Sequence, residues 1–202
     1  MNIILASDSP RRKHLLSLMG LRFQVVSHKS NEEDIRGNNA EELVGRRAMA
    51  KATSVAGEIV IGSDLVVSLK DKIMGKPKNL TEAKKFLKSL SGKTHAVYCG
   101  IAVSDQDKTL MSVAKSEVKM KNYSEEIIDK YINKFEVLDK GGAYAIQFEL
   151  PDYGSLVASF KGGITTIIGL PLDYLENLLK EFGVKSKTDW RKACKIETGY
   201  EY

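Results

Sequence analysis

Apolar residues along the chain change rhythm repeatedly, and the changes outline the elements. Ile3-Ile4-Leu5 is a short continuous apolar run, the mark of a buried strand. Leu15, Leu16 and Met19 then fall at helical spacing and stop at Gly20; Ser9 suits the N-cap of that helix and Pro10 its first position. Phe23 to Val26 reads as a second short strand. Leu43, Val44, Ala48, Ala52 and Val55 share one face of a helix over 40–56, with Glu41 and Glu42 in its first turn. Ile59 to Val67 is strongly strand-like, and Ala83, Phe86, Leu87 and Leu90 predict a helix closed by Gly92. Segments 95–104 and 109–120 form an antiparallel pair around Asp105-Gln106-Asp107. Ser124 caps a helix through Ile127, Ile128, Tyr131 and Ile132. A glycine-rich loop over 139–147 runs into a strand, 155–160 is another strand, and a last helix runs from Leu172 to Phe182. Residues 184–202 are polar and mixed, which predicts a loosely packed tail. The alternation is that of an α/β fold, a mixed central sheet with flanking helices.

Charged residues interrupt this pattern at a few places. Asp64 breaks a buried strand, where a carboxylate is costly unless it is paired, metal-bound or at a wet end. Lys51 sits within Ala48-Met49-Ala50-Lys51-Ala52; on its own it reads as a snorkelling or surface lysine. Ser9-Pro10-Arg11-Arg12 brings a helix N-terminus and two guanidiniums to one spot, a phosphate site or an ordinary capped helix with two solvated arginines. Glu32, Glu33 and Asp34 form either a solvated loop or part of a divalent-metal site. Gly75-Lys76-Pro77 holds a lysine between a permissive residue and a rigid one.

Composition narrows the chemistry. The net charge of +5 favours anionic partners, but the lysines are scattered among acids, which speaks against a nucleic-acid groove. Cys99 and Cys194 lack metal-type spacing and read as reduced structural thiols. No apolar run reaches membrane-span length, so a cytoplasmic protein is expected. His14, His28 and His95 are dispersed and read as structural or surface residues. The polar punctuation falls at strand ends, where open α/β sheets bind ligands. Arginines and lysines to neutralise a polyphosphate, with Glu32 and Asp64 to hold Mg²⁺ and orient water, suit phosphoanhydride hydrolysis. No Walker-type Gly-Lys-Ser/Thr loop is present.

Seven motifs in order carry a resemblance. They are Leu5-Ala6-Ser7-Asp8-Ser9-Pro10-Arg11-Arg12, Ala48 to Ala52, Ser63-Asp64-Leu65-Val66-Val67, Gly75-Lys76-Pro77, Leu90 to His95, Asp139 to Gln147, and Ile168-Gly169-Leu170-Pro171-Leu172. Over residues 1–183 the chain resembles the Maf (septum-formation) nucleotide pyrophosphatases; 184–202 is left as a tail of unassigned role. The resemblance implies a two-lobed fold with a cleft, like that of the inosine triphosphate pyrophosphatases. It implies hydrolysis of a nucleoside triphosphate between its α- and β-phosphates with Mg²⁺ or Mn²⁺. Asp64 then matches the proton acceptor. Lys51, Lys76 and Glu32 (or its neighbour Glu33) match the other catalytic and phosphate- or metal-binding positions, with Glu32 and Asp64 as the metal ligands. Ser9, Arg11 and Arg12 match a phosphate site, and Arg11, Leu65 and Gln147 the positions linked to substrate choice. Arginine and glutamine there resemble the branch acting on dTTP and UTP, a house-cleaning role. Leu65 stands where threonine is usual, Gly141 where alanine is usual and Thr166 where asparagine is usual. The partner implied is a nucleotide, with no nucleic acid and no membrane, and a homodimer is compatible with the resemblance. The competing readings are a pyrophosphatase for non-standard purine or 7-methylguanosine triphosphates, and a non-catalytic nucleic-acid or cell-division regulatory protein.

Overall fold

The computed structural model describes residues 2–198, apart from the side chains of Glu33, Glu197 and Thr198. The chain forms two compact units: Met1–Asp64, Tyr98–Ala114 and Gly163–Tyr202 make the first, and Leu65–Val97 with Lys115–Gly162 the second.

In the first unit, β1 (Ile3–Leu5) is the parallel neighbour of both β2 (Phe23–Val25) and the start of β3 (Ile59–Leu69), with Leu5 opposite Val25 on one side and Ile61 on the other. Parallel neighbours need crossover connections. Helices α1 (Pro10–Ser17) and α2 (Ala40–Thr53) supply them. Strands β5 (Thr94–Ser104) and β6 (Thr109–Met120) extend the order to β2-β1-β3-β5-β6. Asn39 caps α2 by accepting the Glu42 amide at 2.9 Å.

Two glycines set how deep α2 lies. A Cβ on Gly62 would come 2.3 Å from the Ala48 carbonyl oxygen, and one on Gly100 would come 2.2 Å from that of Val44. Only bare backbone admits the helix at this distance. Ala48, Ala52 and Ala102 fill the contact as a buried cluster. The helix is therefore close enough for a side chain on its inner face to reach the strand backbone.

In the second unit β3 turns back through Lys70 and Asp71, both at positive φ, into β4 (Lys72–Met74). Leu69 pairs with Lys72, so the loop has two residues, the tight turn that matches strand twist. The order here is β4-β3-β5-β6-β9, with β9 (Val157–Lys161) antiparallel to β6. Helices α3 (Leu80–Leu90) and α4 (Glu125–Lys134) are capped by Asn79 and Ser124 and pack on each other. A small hairpin joins β7 (Glu149–Leu150) to β8 (Gly154–Ser155).

Two helices have no counterpart in the sequence-based expectation. Ile164–Ile168 is rich in β-branched residues, yet it forms a short helix, α5, stopped by Gly169 at φ 119°. Its residues Ile164 to Ile167 are buried, and that burial overrides propensity. Helix α6 (Leu172–Glu181) follows as expected. The described part of the tail, through residue 198, is not loose. Helix α7 (Trp190–Thr198) buries Trp190 and Cys194, which stand four residues apart on one face. Before it, the Lys187 amide and the Ser186 hydroxyl both donate to the Met19 carbonyl, at 2.9 and 3.1 Å. Tyr202 lies outside the described residues. No helix among the described residues is long and apolar enough to cross a membrane.

Candidate active site

Lys51 projects from the inner face of α2 onto β3 and is 3% exposed. Its ammonium lies 2.7 Å from Asp64 Oδ1, 3.1 Å from Glu32 Oε1 and 3.2 Å from the Ser63 carbonyl oxygen. An ammonium has three protons to donate, and all three have acceptors here. Asp64 is itself buried, 6% exposed. It lies within β3 rather than at its end. Its parallel partner β1 stops opposite Ile61, however, so Asp64 stands three residues beyond the carboxyl end of that neighbour. The strand-end reading holds for the parallel pair.

Glu32 comes from the other side, on the single 3₁₀ turn Glu32–Asp34. His28 Nε2 lies 3.1 Å from the same Glu32 Oε1, and Ser30 Oγ lies 2.9 Å from His28 Nδ1. A carboxylate only accepts, so Nε2 carries the proton that faces Glu32, and Nδ1 faces the serine hydroxyl. Asp64, Lys51, Glu32 and His28 thus form one continuous polar chain. The side chain of Glu33, the alternative acid, lies outside the described residues.

Arg47 joins this group and was not among the residues expected from sequence. It precedes Lys51 by four residues and so shares its face of α2. Its Nη1 stands 3.8 Å from Asp64 Oδ2. The signal was present in the sequence as a second cation at i, i+4 on a face of small residues. His28, read as structural or surface, likewise precedes Glu32 by four.

The first loop is built differently from its expected form. Ser9 occupies the N-cap of α1 and Pro10 its first turn, but the Ser9 side chain makes no capping bond. Ser7 Oγ accepts the Ser9 amide at 3.3 Å and Arg12 Nη1 at 3.2 Å. Arg12 Nε also donates to the Gly169 carbonyl at 2.9 Å, which ties α1 to the end of α5. Ser63 Oγ lies 3.0 Å from that same carbonyl and 2.9 Å from that of Gly100. Arg11 and Arg12 are both half-buried. Burial pushes the neighbouring Cys99 thiol up to about 11, so this cysteine is a packed thiol and not a nucleophile.

Lys76 and Gln147 belong to the second unit, and both are exposed. The 139–147 loop there is held by its backbone. The Gly142 amide donates to the Gly75 carbonyl at 3.1 Å, which links the two glycine motifs. Tyr131 Oη accepts the Ala145 amide at 3.1 Å and lies 3.3 Å from the Ala145 carbonyl.

Leu65 and Gly141, two departures from the family pattern, meet in this unit. A Cβ on Gly141 would come 2.9 Å from Leu65 Cδ2. The larger residue at 65 thus uses the space that an alanine at 141 would take. Gly141→Ala must displace the leucine tip, and Leu65→Thr leaves a gap. We expect each to lower the melting temperature and the double variant to lose less than the sum, with a coupling of about 1 kcal/mol in a double-mutant cycle.

His95 packs edge-on against Tyr144 at 5.4 Å between ring centroids, and its Nε2 lies 2.7 Å from Tyr144 Oη. Burial drives the imidazole down to about 4. The neutral ring is favoured by the fold, so its contribution is complete above the ordinary histidine range near pH 6.5. It is lost as pH falls toward 4, because only the unfolded chain takes up the proton over that window. We expect stability to fall by about 1.4 kcal/mol per pH unit there. Thermal melts of His95→Gln should show a flatter acid limb than wild type.

A family model described as Maf-like protein matches residues 2–182. The chain is 44% identical over 191 residues to a dTTP/UTP pyrophosphatase of Dictyoglomus thermophilum, covering 90% of this chain and 96% of the relative. It is 41% identical over 187 residues to a dTTP/UTP pyrophosphatase of Bacillus cereus, covering 90% of each. The Ham1 protein structure of Staphylococcus aureus superposes with a TM-score of 0.51 at 16% identity, over 90% of this chain and 97% of that one, a likeness of fold. With a matching family model and relatives of this identity across nearly its whole length, the chain belongs to the Maf family.

Proposed function

We propose that this chain hydrolyses dTTP and UTP to the nucleoside monophosphate and pyrophosphate. The observation that carries the reading is Asp64, a buried strand carboxylate held through Oδ1 by Lys51, in a chain 44% identical to a dTTP/UTP pyrophosphatase. In this reading Asp64 takes a proton from water. The water oxygen forms a bond to the α-phosphorus as the bond from that phosphorus to the bridging oxygen breaks, and pyrophosphate leaves with the electron pair. Lys51 holds the carboxylate in place through its contact with Oδ1. Arg11 and Arg12 bind phosphate oxygens from the start of α1, where backbone amides and the helix dipole add to their charge. By the family resemblance, Lys76 is assigned positive charge for the phosphates. Leu65 and Gln147 bear on the choice of base.

The donor set fits a hard divalent cation. Glu32 and Asp64 offer carboxylate oxygens linked through one ammonium. No cluster of three or more His, Cys, Asp or Glu among the described residues could enclose an ion by protein alone. That suits Mg²⁺ or Mn²⁺, which keep waters and take substrate phosphate oxygens as ligands. When bound, the ion neutralises phosphate charge and polarises the phosphoryl group.

The test is pyrophosphate release across a panel of pyrimidine, non-standard purine and 7-methylguanosine triphosphates with Mg²⁺ or Mn²⁺. Preference for dTTP and UTP supports the reading; release from the purine panel alone overturns the substrate assignment, and no release overturns the activity. Lys76→Ala should lower turnover by about tenfold or more at an unchanged melting temperature. A change in melting temperature alone would make Lys76 structural.

A further inference from the structure

Two atoms of opposite character lie unsatisfied beside the candidate base. Asp64 Oδ2 is buried and accepts no hydrogen bond, and Arg47 Nε is buried and donates none. They do not satisfy each other, since the nearest approach of the two groups is 3.8 Å, from Arg47 Nη1 to Asp64 Oδ2. Asp64 is fixed on its other side by Lys51, and Arg47 stands on the same helical face as Lys51. Buried polar groups are almost always paired, and an orphan donor next to an orphan acceptor calls for one group that can serve both.

Three kinds of group could stand there. A cation placed between Oδ2 and the guanidinium would answer the carboxylate but be repelled by Arg47, so a divalent ion held by Glu32 and Asp64 would stand away from Arg47. A phosphate oxygen would answer the guanidinium but face a carboxylate. Only a group with both a proton and a lone pair suits each neighbour. We propose that Arg47 binds the attacking water and holds it against Asp64 Oδ2. This rests on the reading of Asp64 as the base. The water donates one proton to Oδ2 and accepts from the guanidinium with one lone pair. Its second lone pair forms the bond to the α-phosphorus, the bond from that phosphorus to the bridging oxygen breaks, and pyrophosphate leaves with those electrons. The transferred proton ends on Asp64 and passes to solvent. Arg47 therefore supplies orientation at the reacting oxygen, and its contribution belongs to turnover rather than to substrate affinity.

The experiment compares wild type, Arg47→Ala and Arg47→Gln for kcat, KM, the inhibition constant of pyrophosphate and melting temperature, each with and without added guanidinium chloride at low millimolar concentration. The expected result is a fall in kcat of about tenfold or more for Arg47→Ala, with KM and pyrophosphate inhibition within about twofold of wild type. Guanidinium should restore part of that rate in Arg47→Ala and none in Asp64→Asn. Arg47→Gln, which keeps an N–H donor, should fall between; it carries the test if the alanine variant does not fold. A parallel rise in KM and in the pyrophosphate inhibition constant at unchanged kcat would overturn the proposal and make Arg47 a phosphate ligand. A lower melting temperature with wild-type kinetics would overturn it in favour of packing. If wild type itself releases no pyrophosphate, the reading of Asp64 fails and this proposal falls with it. An active wild type matched by an equally active Arg47→Ala sinks this proposal alone.

Discussion

Asp64→Asn is expected to remove nearly all turnover, by about a thousandfold, while the chain still folds. Asparagine keeps the shape of the side chain and an oxygen able to accept from Lys51, whose ammonium lies 2.7 Å from Oδ1. What it loses is the charge and with it the capacity to take a proton. The buried ammonium keeps the Glu32 carboxylate at 3.1 Å and the Ser63 carbonyl at 3.2 Å, so it does not become an isolated charge. The stability cost should then be modest, about 1–3 kcal/mol, the range for weakening a charged hydrogen bond. Pyrophosphate release and a thermal melt on the same sample separate the two effects. Turnover within about tenfold of wild type would remove Asp64 from the role of base.

Much of this site was legible in the residues, and the reasons differ from part to part. A carboxylate in an apolar strand is costly when buried, so Asp64 pointed to a partner or a metal, whereas Lys51 on its own read as a snorkelling or surface lysine. What the pattern did not show was that Gly62 and Gly100 let α2 close to backbone contact with the sheet, which is why Lys51 reaches Asp64 instead of solvent. Side-chain networks were harder to foresee. Ser9 holds the N-cap position of α1 without a capping bond, and the buried Ser7 hydroxyl at the strand end accepts instead from the Ser9 amide and from Arg12. Arg47 and His28 were passed over because a lone basic residue on a helix or in a loop usually faces water. Their meaning comes from spacing of four to Lys51 and to Glu32. Helices α5 and α7 were missed for one shared reason: short segments take their conformation from burial, and Thr165, Thr166, Trp190 and Cys194 are all buried.

Lys51→Met is expected to cost both stability and activity, and the two losses can be separated. Methionine fills the space of the lysine stem and tolerates the apolar surroundings. It leaves the Asp64 carboxylate buried with the Arg47 guanidinium, at 3.8 Å, as its remaining ion-pair partner among the described residues, and Glu32 keeps its contact with His28. Removing one partner of a buried ion pair costs about 3–5 kcal/mol. In a chain of this length that corresponds to a melting temperature lower by about 10 °C. Replacing both partners of a buried pair by apolar groups is far less costly than removing one. Lys51→Met combined with Asp64→Leu should therefore recover much of the lost melting temperature while remaining inactive. That recovery would show that the instability of the single variant comes from a stranded carboxylate and not from poor packing of the methionine. A double variant that melts no higher than Lys51→Met would mean that Asp64 is not what the ammonium holds, and the chain from Asp64 through Lys51 to Glu32 would lose its central link.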